Sequence, residues 1–257
     1  MAQNIYDDPG FFAGYSRLPR SVHGLEGAAE WSAVRALLPD LAGLRILDLG
    51  CGFGWFARWA AAAGARSVLG LDLSEKMIAR ARRDTAAPNV TYAIADLERP
   101  DLPAGAFDFA YSALALHYVA DFAGLVAAVH RALVPAARFV FTIEHPIYMA
   151  PSAPGWETDA ATGRRRWPID SYALEGPRRT DWLAEGVVKQ HRMLGTTLNT
   201  LIRAGFAIRH VEEWSPSDAD LAAHPDWAEE RDRPMFLLIA AERISPASGS
   251  APAPAAG

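Results

Sequence analysis

Between Ile46 and Gly54 the chain reads Ile-Leu-Asp-Leu-Gly-Cys-Gly-Phe-Gly, and no other stretch restricts the fold as much. Leu44, Ile46, Leu47 and Leu49 form an apolar run that carries one acid, Asp48, and gives way to glycines at 50, 52 and 54. An alanine-rich segment of helical composition opens at Trp55. Strand, glycine turn and helix in that order form the first unit of an open α/β sheet. A turn without Cβ atoms lets a ligand approach the backbone, beside the free N–H groups and the positive dipole end of the helix.

A dinucleotide turn takes glycine at its first and third positions and glycine or alanine at its sixth. Counted from Gly50, the sixth residue is Trp55, too large for that packing, and the third glycine comes one residue early. An NAD-linked oxidoreductase is therefore disfavoured. The pattern Asp-x-Gly-x-Gly-x-Gly over 48–54 resembles motif I of the class I S-adenosylmethionine (SAM)-dependent methyltransferases, and most nearly their small stand-alone type 11 group. The resemblance implies an α/β fold with a doubly wound, seven-stranded, Rossmann-like sheet whose last strand is antiparallel. It also implies SAM as cofactor, S-adenosylhomocysteine (SAH) as product, and Asp48, Gly50, Cys51, Gly52 and Gly54 at the cofactor.

The elements downstream fit that order. Ser67–Asp72 reads as a buried strand ending in an acid, where doubly wound folds bind ribose hydroxyls. Asp72 is thus a ribose ligand or a turn aspartate, with Leu73 beside it, Ser74 as a helix N-cap, and Met77 and Ile78 facing inward. A third strand, Val90–Ala95, precedes Asp96, which the resemblance assigns to the adenine amino group, with Ala95 and Leu97 along the ring. A fourth strand over 107–112 runs on through Leu114 to Val119 and resembles motif IV, putting Ser112 and Leu114 under the sulfonium. Asp121 caps a helix expected to run to Leu133 and stop at Pro135, and a fifth strand spans Arg138–Glu144. A helix over His191–Ala204 and strands at Phe206–Glu213 and Met235–Glu242 complete the sheet.

His117 and His145 follow strand ends, the edge at which open α/β sheets bind ligands. Each reads as a general base for a hydroxyl acceptor or as a structural histidine. Glu144 and His145 are neighbours, so on one strand they face opposite ways, and no spaced cluster of acids and histidines suggests a metal site. Residues 1–43 combine aromatic and glycine residues with a helix through Trp31 and Val34. In the resembled family such a segment closes over SAM, where Tyr6, Tyr15, Arg17 or Arg20 would touch it; packing of the aromatics on the sheet is the alternative. The proline- and tryptophan-rich stretch 146–189 reads as an inserted substrate cap with a hairpin around 161–163. Its Arg164–Arg166 run is either a solvated turn or a grip for an acidic partner.

Composition narrows the function further. A net charge of −5 argues against nucleic acid or an anionic membrane as the main partner. The single cysteine, Cys51, excludes an internal disulfide and suits a reducing cytoplasm. The N-terminus lacks the apolar core of a signal peptide, and the tail over 245–257 has the composition of a disordered segment. The chain is expected to be one cytoplasmic methyltransferase domain over 1–244, acting on oxygen or nitrogen of a small molecule. A catalytically silent SAM-binding sensor and an RNA methyltransferase are the alternatives.

Overall fold

The computed structural model describes residues 3–244, so the expected disorder of 245–257 lies outside the described residues. The first five strands are β1 (Arg45–Leu49), β2 (Ser67–Asp72), β3 (Val90–Ile94), β4 (Phe107–Ala113) and β5 (Leu133–Glu144). Two antiparallel ribbons follow, β6 (Glu157–Thr158) with β7 (Arg165–Arg166) and β8 (Gly176–Trp182) with β9 (Ala184–His191). β10 (Phe206–Glu213) and β11 (Phe236–Arg243) rejoin the main sheet, ordered β10-β11-β5-β4-β1-β2-β3. β1 to β5 are parallel, and β11 runs antiparallel to both its neighbours, as expected.

The helices are α1 (Pro9–Tyr15), α2 (Pro19–Val22), α3 (Trp31–Leu37), α4 (Trp55–Ala62), α5 (Glu75–Arg83), α6 (Phe122–Ala132), α7 (Pro146–Met149), α8 (Leu194–Arg203) and α9 (Asp218–Ala223). Ile46, Leu47 and Leu49 in β1 are all fully buried, as a strand covered on both faces requires. Alternate side chains go to opposite layers. Leu47 and Leu49 join Phe139, Phe141, Val126 and Val129 of α6, and Leu201 of α8. Ile46 joins Val68 and Phe109 with Trp31, Phe56 and Ile78 from α3, α4 and α5. Asp48 shares the face of Ile46 and is buried between strand and helices.

Several boundaries differ from the sequence reading. Pro135 does not stop a helix, since α6 ends at Ala132 and β5 begins at Leu133. It sits where the ladder skips, with Phe107 opposite Leu133 but Phe109 opposite Arg138. Proline has no N–H to donate and Ala136 has φ of 63°, so the strand bulges there. The motif IV segment leaves the sheet at Ala113 and makes a 3₁₀ turn over Leu116–Tyr118. His191 closes β9 instead of opening a helix, and α8 starts at Leu194. The stretch after β5 carries the hairpin around 161–163 as β6–β7, and β8–β9 besides, a ribbon the sequence reading lacked. Among the described residues no helix is long and apolar enough to cross a membrane.

Candidate active site

The carboxyl ends of β1 to β5 and the amino end of antiparallel β11 share one edge, and the glycine turn lies there. Its backbone is anchored from β2, with Gly50 and Cys51 N–H both donating to the Leu71 carbonyl at 2.8 and 2.9 Å. Gly50 has φ of 73°, and a Cβ on it would stand 2.2 Å from the Ala115 Cβ. A Cβ at Gly54 would stand 2.2 Å from the Tyr92 hydroxyl, so Gly54 makes room for a neighbouring side chain and not for a ligand. A Cβ at Gly52 would meet nothing nearer than the Tyr15 hydroxyl at 4.0 Å, because it would point into open space.

That space belongs to a cavity of about 400 Å³, the size of a small-ligand site. Gly50, Gly52, Asp72, Leu73, Met77, Asp96, Leu97 and Leu114 line it. From the N-terminal segment Tyr6, Tyr15 and Arg20 line it as well, whereas Arg17 does not. Ala95 and Ser112 stay outside it: Ala95 packs on the core, and the Ser112 hydroxyl donates 2.6 Å to the Leu49 carbonyl. The Asp72 carboxylate accepts from Gly52 N–H and Ser74 N–H, both at 2.9 Å, and each oxygen keeps a lone pair for a further donor. Burial raises its carboxyl, against the lowering effect of those two backbone bonds.

Asp48 and Cys51 border a second cavity, of about 90 Å³, on the other side of the turn. Four residues that line it each hold a buried polar atom with no hydrogen bond among the described residues: Ser21 Oγ, Trp31 Nε1, Trp55 Nε1 and Asp48 Oδ2. Three are donors and the fourth is a carboxylate oxygen. Native interiors leave such atoms bare where a ligand or water completes them. Donors beside one acceptor suit an amino-acid zwitterion, carboxylate to the indoles and hydroxyl, ammonium to Asp48. The methionine end of SAM is such a group, and the main cavity beside Asp72 and Asp96 suits its nucleoside end, so the residues fit the cofactor. Burial first, then the charge of Asp72, pushes Asp48 up to about 8. Burial also drives the Cys51 thiol well above its ordinary value, which leaves it a space-filling thiol. Arg20 lies between the two cavities with one nitrogen on the Glu30 carboxylate at 3.0 Å.

The two histidines take different places. His145 is outside both cavities, its Nδ1 accepting from Ile147 N–H at 3.0 Å as the N-cap of α7. Its Nε2 pairs with Glu213 at 2.8 Å, so both ring nitrogens are engaged. His117 does line the large cavity, but Nδ1 accepts the Glu144 N–H at 3.3 Å. Burial, then the charges of Lys189, Arg192 and Arg20, hold it well below the ordinary histidine value. A neutral ring accepting at Nδ1 carries its proton on Nε2. In that tautomer His117 presents a donor at Nε2.

Tyr118, Tyr148, Trp182, Trp227, Met235 and Phe236 also wall the cavity. Glu144 lies among them, paired with Lys189 of β9. Neither Glu144 nor the indole donors stood out in sequence, because each acquires meaning only from partners distant in the chain. The Arg164–Arg166 run is exposed on β7 and its turn, where Arg166 meets Glu157 at 3.4 Å. Among the described residues no group of three or more His, Cys, Asp or Glu side chains is gathered as a metal site.

The family described as a methyltransferase domain matches residues 47–141, from the glycine turn to β5. The crystal structure of an S-adenosylmethionine-dependent methyltransferase from Mesorhizobium loti is 64% identical with a TM-score of 0.82, over 86% of this chain and 100% of that one. A putative enzyme of the same kind from Listeria monocytogenes is 40% identical with a TM-score of 0.80, over the same shares. An uncharacterized protein of Haemophilus influenzae is 31% identical over 94% of this chain and 97% of its own. The chain belongs to the class I SAM-dependent methyltransferases.

Proposed function

We propose that this methyltransferase acts on oxygen or nitrogen of a small-molecule acceptor bound at the aromatic end of the large cavity. The observation that carries the reading is the roof over that cavity. Gln3, Asn4 and Tyr6 cover it from the N-terminal segment and Trp182 from the cap. The two roofs are joined, since the Gln3 amide accepts from Val188 N–H at 2.9 Å and donates to the Gly186 carbonyl at 3.1 Å. The nucleoside end of the donor and the acceptor share about 400 Å³, which favours a small acceptor over a nucleic-acid strand.

SAM supplies a methyl group already activated by its positively charged sulfur. The residues have three tasks around it. Asp72 and Asp96 accept hydrogen bonds from the nucleoside, and Asp48 with the two indoles holds the amino-acid end. Tyr6, Tyr15 and Trp182 exclude water and confine the acceptor, which raises the effective concentration of the reacting pair. SAH release from pooled small molecules, purified RNA and protein substrates tests the assignment. Turnover with small-molecule pools, reduced at least about tenfold by Trp182→Ala with SAH affinity unchanged, is the expected result. Turnover with RNA or protein alone would overturn it, and so would its absence throughout.

A further inference from the structure

Glu144, the last residue of β5, forms a buried ion pair at the acceptor end of the cavity. Its Oε1 accepts a 2.5 Å hydrogen bond from Lys189 Nζ, and the lysine side chain is 3% exposed. The ammonium lies 4.8 Å from the Trp182 ring and 6.0 Å from the Tyr118 ring. The second oxygen, Oε2, is buried with no hydrogen bond among the described residues. A buried carboxylate oxygen is costly unless a donor reaches it. The chain uses arginine for nearly all its basic residues and lysine only at 76 and 189. A planar guanidinium would occupy both carboxylate oxygens, whereas an ammonium on Oε1 leaves Oε2 without a partner.

We propose that Glu144 receives the proton of the methyl acceptor, that Lys189 is its positioning residue, and that the acceptor is a planar aromatic molecule bearing a hydroxyl. The proposal rests on the small-molecule reading above. Rings on the walls, from Tyr118, Tyr148, Trp182, Trp227 and Phe236, suit a flat apolar body. The Lys189 charge disfavours a protonated amine nearby and favours an oxygen that becomes negative as its proton leaves. In the step, a lone pair of the hydroxyl oxygen forms the bond to the methyl carbon. The carbon–sulfur pair stays on sulfur, and the O–H proton passes to the Glu144 carboxylate and from there to water.

The test uses the full chain, Glu144→Gln, and Glu144→Leu/Lys189→Met, which removes both buried charges and so keeps the fold from carrying an unpaired one. SAH titration of each protein checks the cofactor separately, and failure there would speak against the cofactor assignment and not against Glu144. To SAH-loaded protein, 2-naphthol is expected to bind at least about fivefold tighter than its methyl ether, with the difference lost in the double variant. Turnover of 2-naphthol, neutral at about pH 8, is expected to fall about 100-fold or more in Glu144→Gln. Turnover of 4-nitrophenol, mostly ionised at that pH, is expected to fall far less, because an ionised acceptor has no proton to give. Equal losses for the two probes would reduce Glu144–Lys189 to a structural pair and overturn the proposal. Turnover of 2-naphthylmethylamine but neither hydroxyarene would overturn the acceptor class.

Discussion

The Asp7 carboxylate accepts a 2.6 Å hydrogen bond from the Ser74 hydroxyl, fastening the N-terminal segment to the start of α5. Glu75 and Lys76 N–H donate to the same carboxylate at 3.3 and 3.1 Å, so it sits as an anion on a helix N-terminus. Burial works to raise the Asp7 carboxyl, but the hydrogen bonds from Ser74, Lys76, Asn4 and Glu75 hold it below the ordinary range. The segment it fastens brings Tyr6 and Tyr15 to the wall of the large cavity. Asp7→Ala is expected to raise the SAH dissociation rate roughly tenfold, read by stopped-flow fluorescence. An unchanged rate would show that the strap is not what retains the ligand.

Asp48 makes the ligand-free protein sensitive to pH. Burial holds its carboxyl at about 8 when folded, against 3.8 for a free aspartate, so the native state holds a proton that the unfolded chain has released between these limits. Stability from this group is full below about 4 and is lost as pH rises towards 8, at up to ~1.4 kcal/mol per pH unit. Thermal unfolding at pH 5 to 8 is expected to show this decline in the wild type and a shallower one in Asp48→Asn. A SAM ammonium would favour the ionised carboxylate, so saturating SAM should flatten the wild-type slope. Parallel slopes for the two proteins would contradict the assignment of the buried charge.

Gly50 carries both a left-handed backbone and a close approach. Gly50→Ala is expected to destabilise the fold by more than about 2 kcal/mol and to weaken SAH binding. Ala115→Gly in the same chain should restore part of the loss, since it removes the atom 2.2 Å from the new Cβ but leaves φ at 73°. Denaturant unfolding of the single and double variants measures both parts. Full recovery would mean that the backbone conformation carries no strain.

The two histidines should separate cleanly in experiment. His145→Ala removes the cap of α7 and is expected to cost about 1 kcal/mol of stability while leaving SAH affinity unchanged. His117 stays neutral, so the pH profile of methyl transfer should show no histidine step that His117→Asn abolishes. Loss of such a step in that variant would restore His117 as a base.

How much was legible in sequence followed the range of the interactions involved. β2 over 67–72 and β10 over 206–213 were read to the residue, because apolar runs bounded by turn residues report their own burial. The glycine turn and the acid at the end of β2 were visible for the same local reason. β8–β9 was not, because β8 buries no residue, β9 buries Lys189 and His191 beside a single apolar Val187, and their pairing shifts register between Thr180 and Trp182. Glu144 and Lys189 stand 45 residues apart, and Trp31 and Trp55 come to line one cavity with Asp48 only once α3 and α4 pack on β1. Spacing told which residues follow strands, but not which way a histidine ring turns.

Calorimetric titration of SAM, SAH and NAD into the wild type and Asp72→Ala tests the central claim most directly. The account predicts micromolar SAH binding by the wild type, at least about tenfold weaker in Asp72→Ala, and none of NAD by either. A folded wild type that binds neither SAM nor SAH would contradict it.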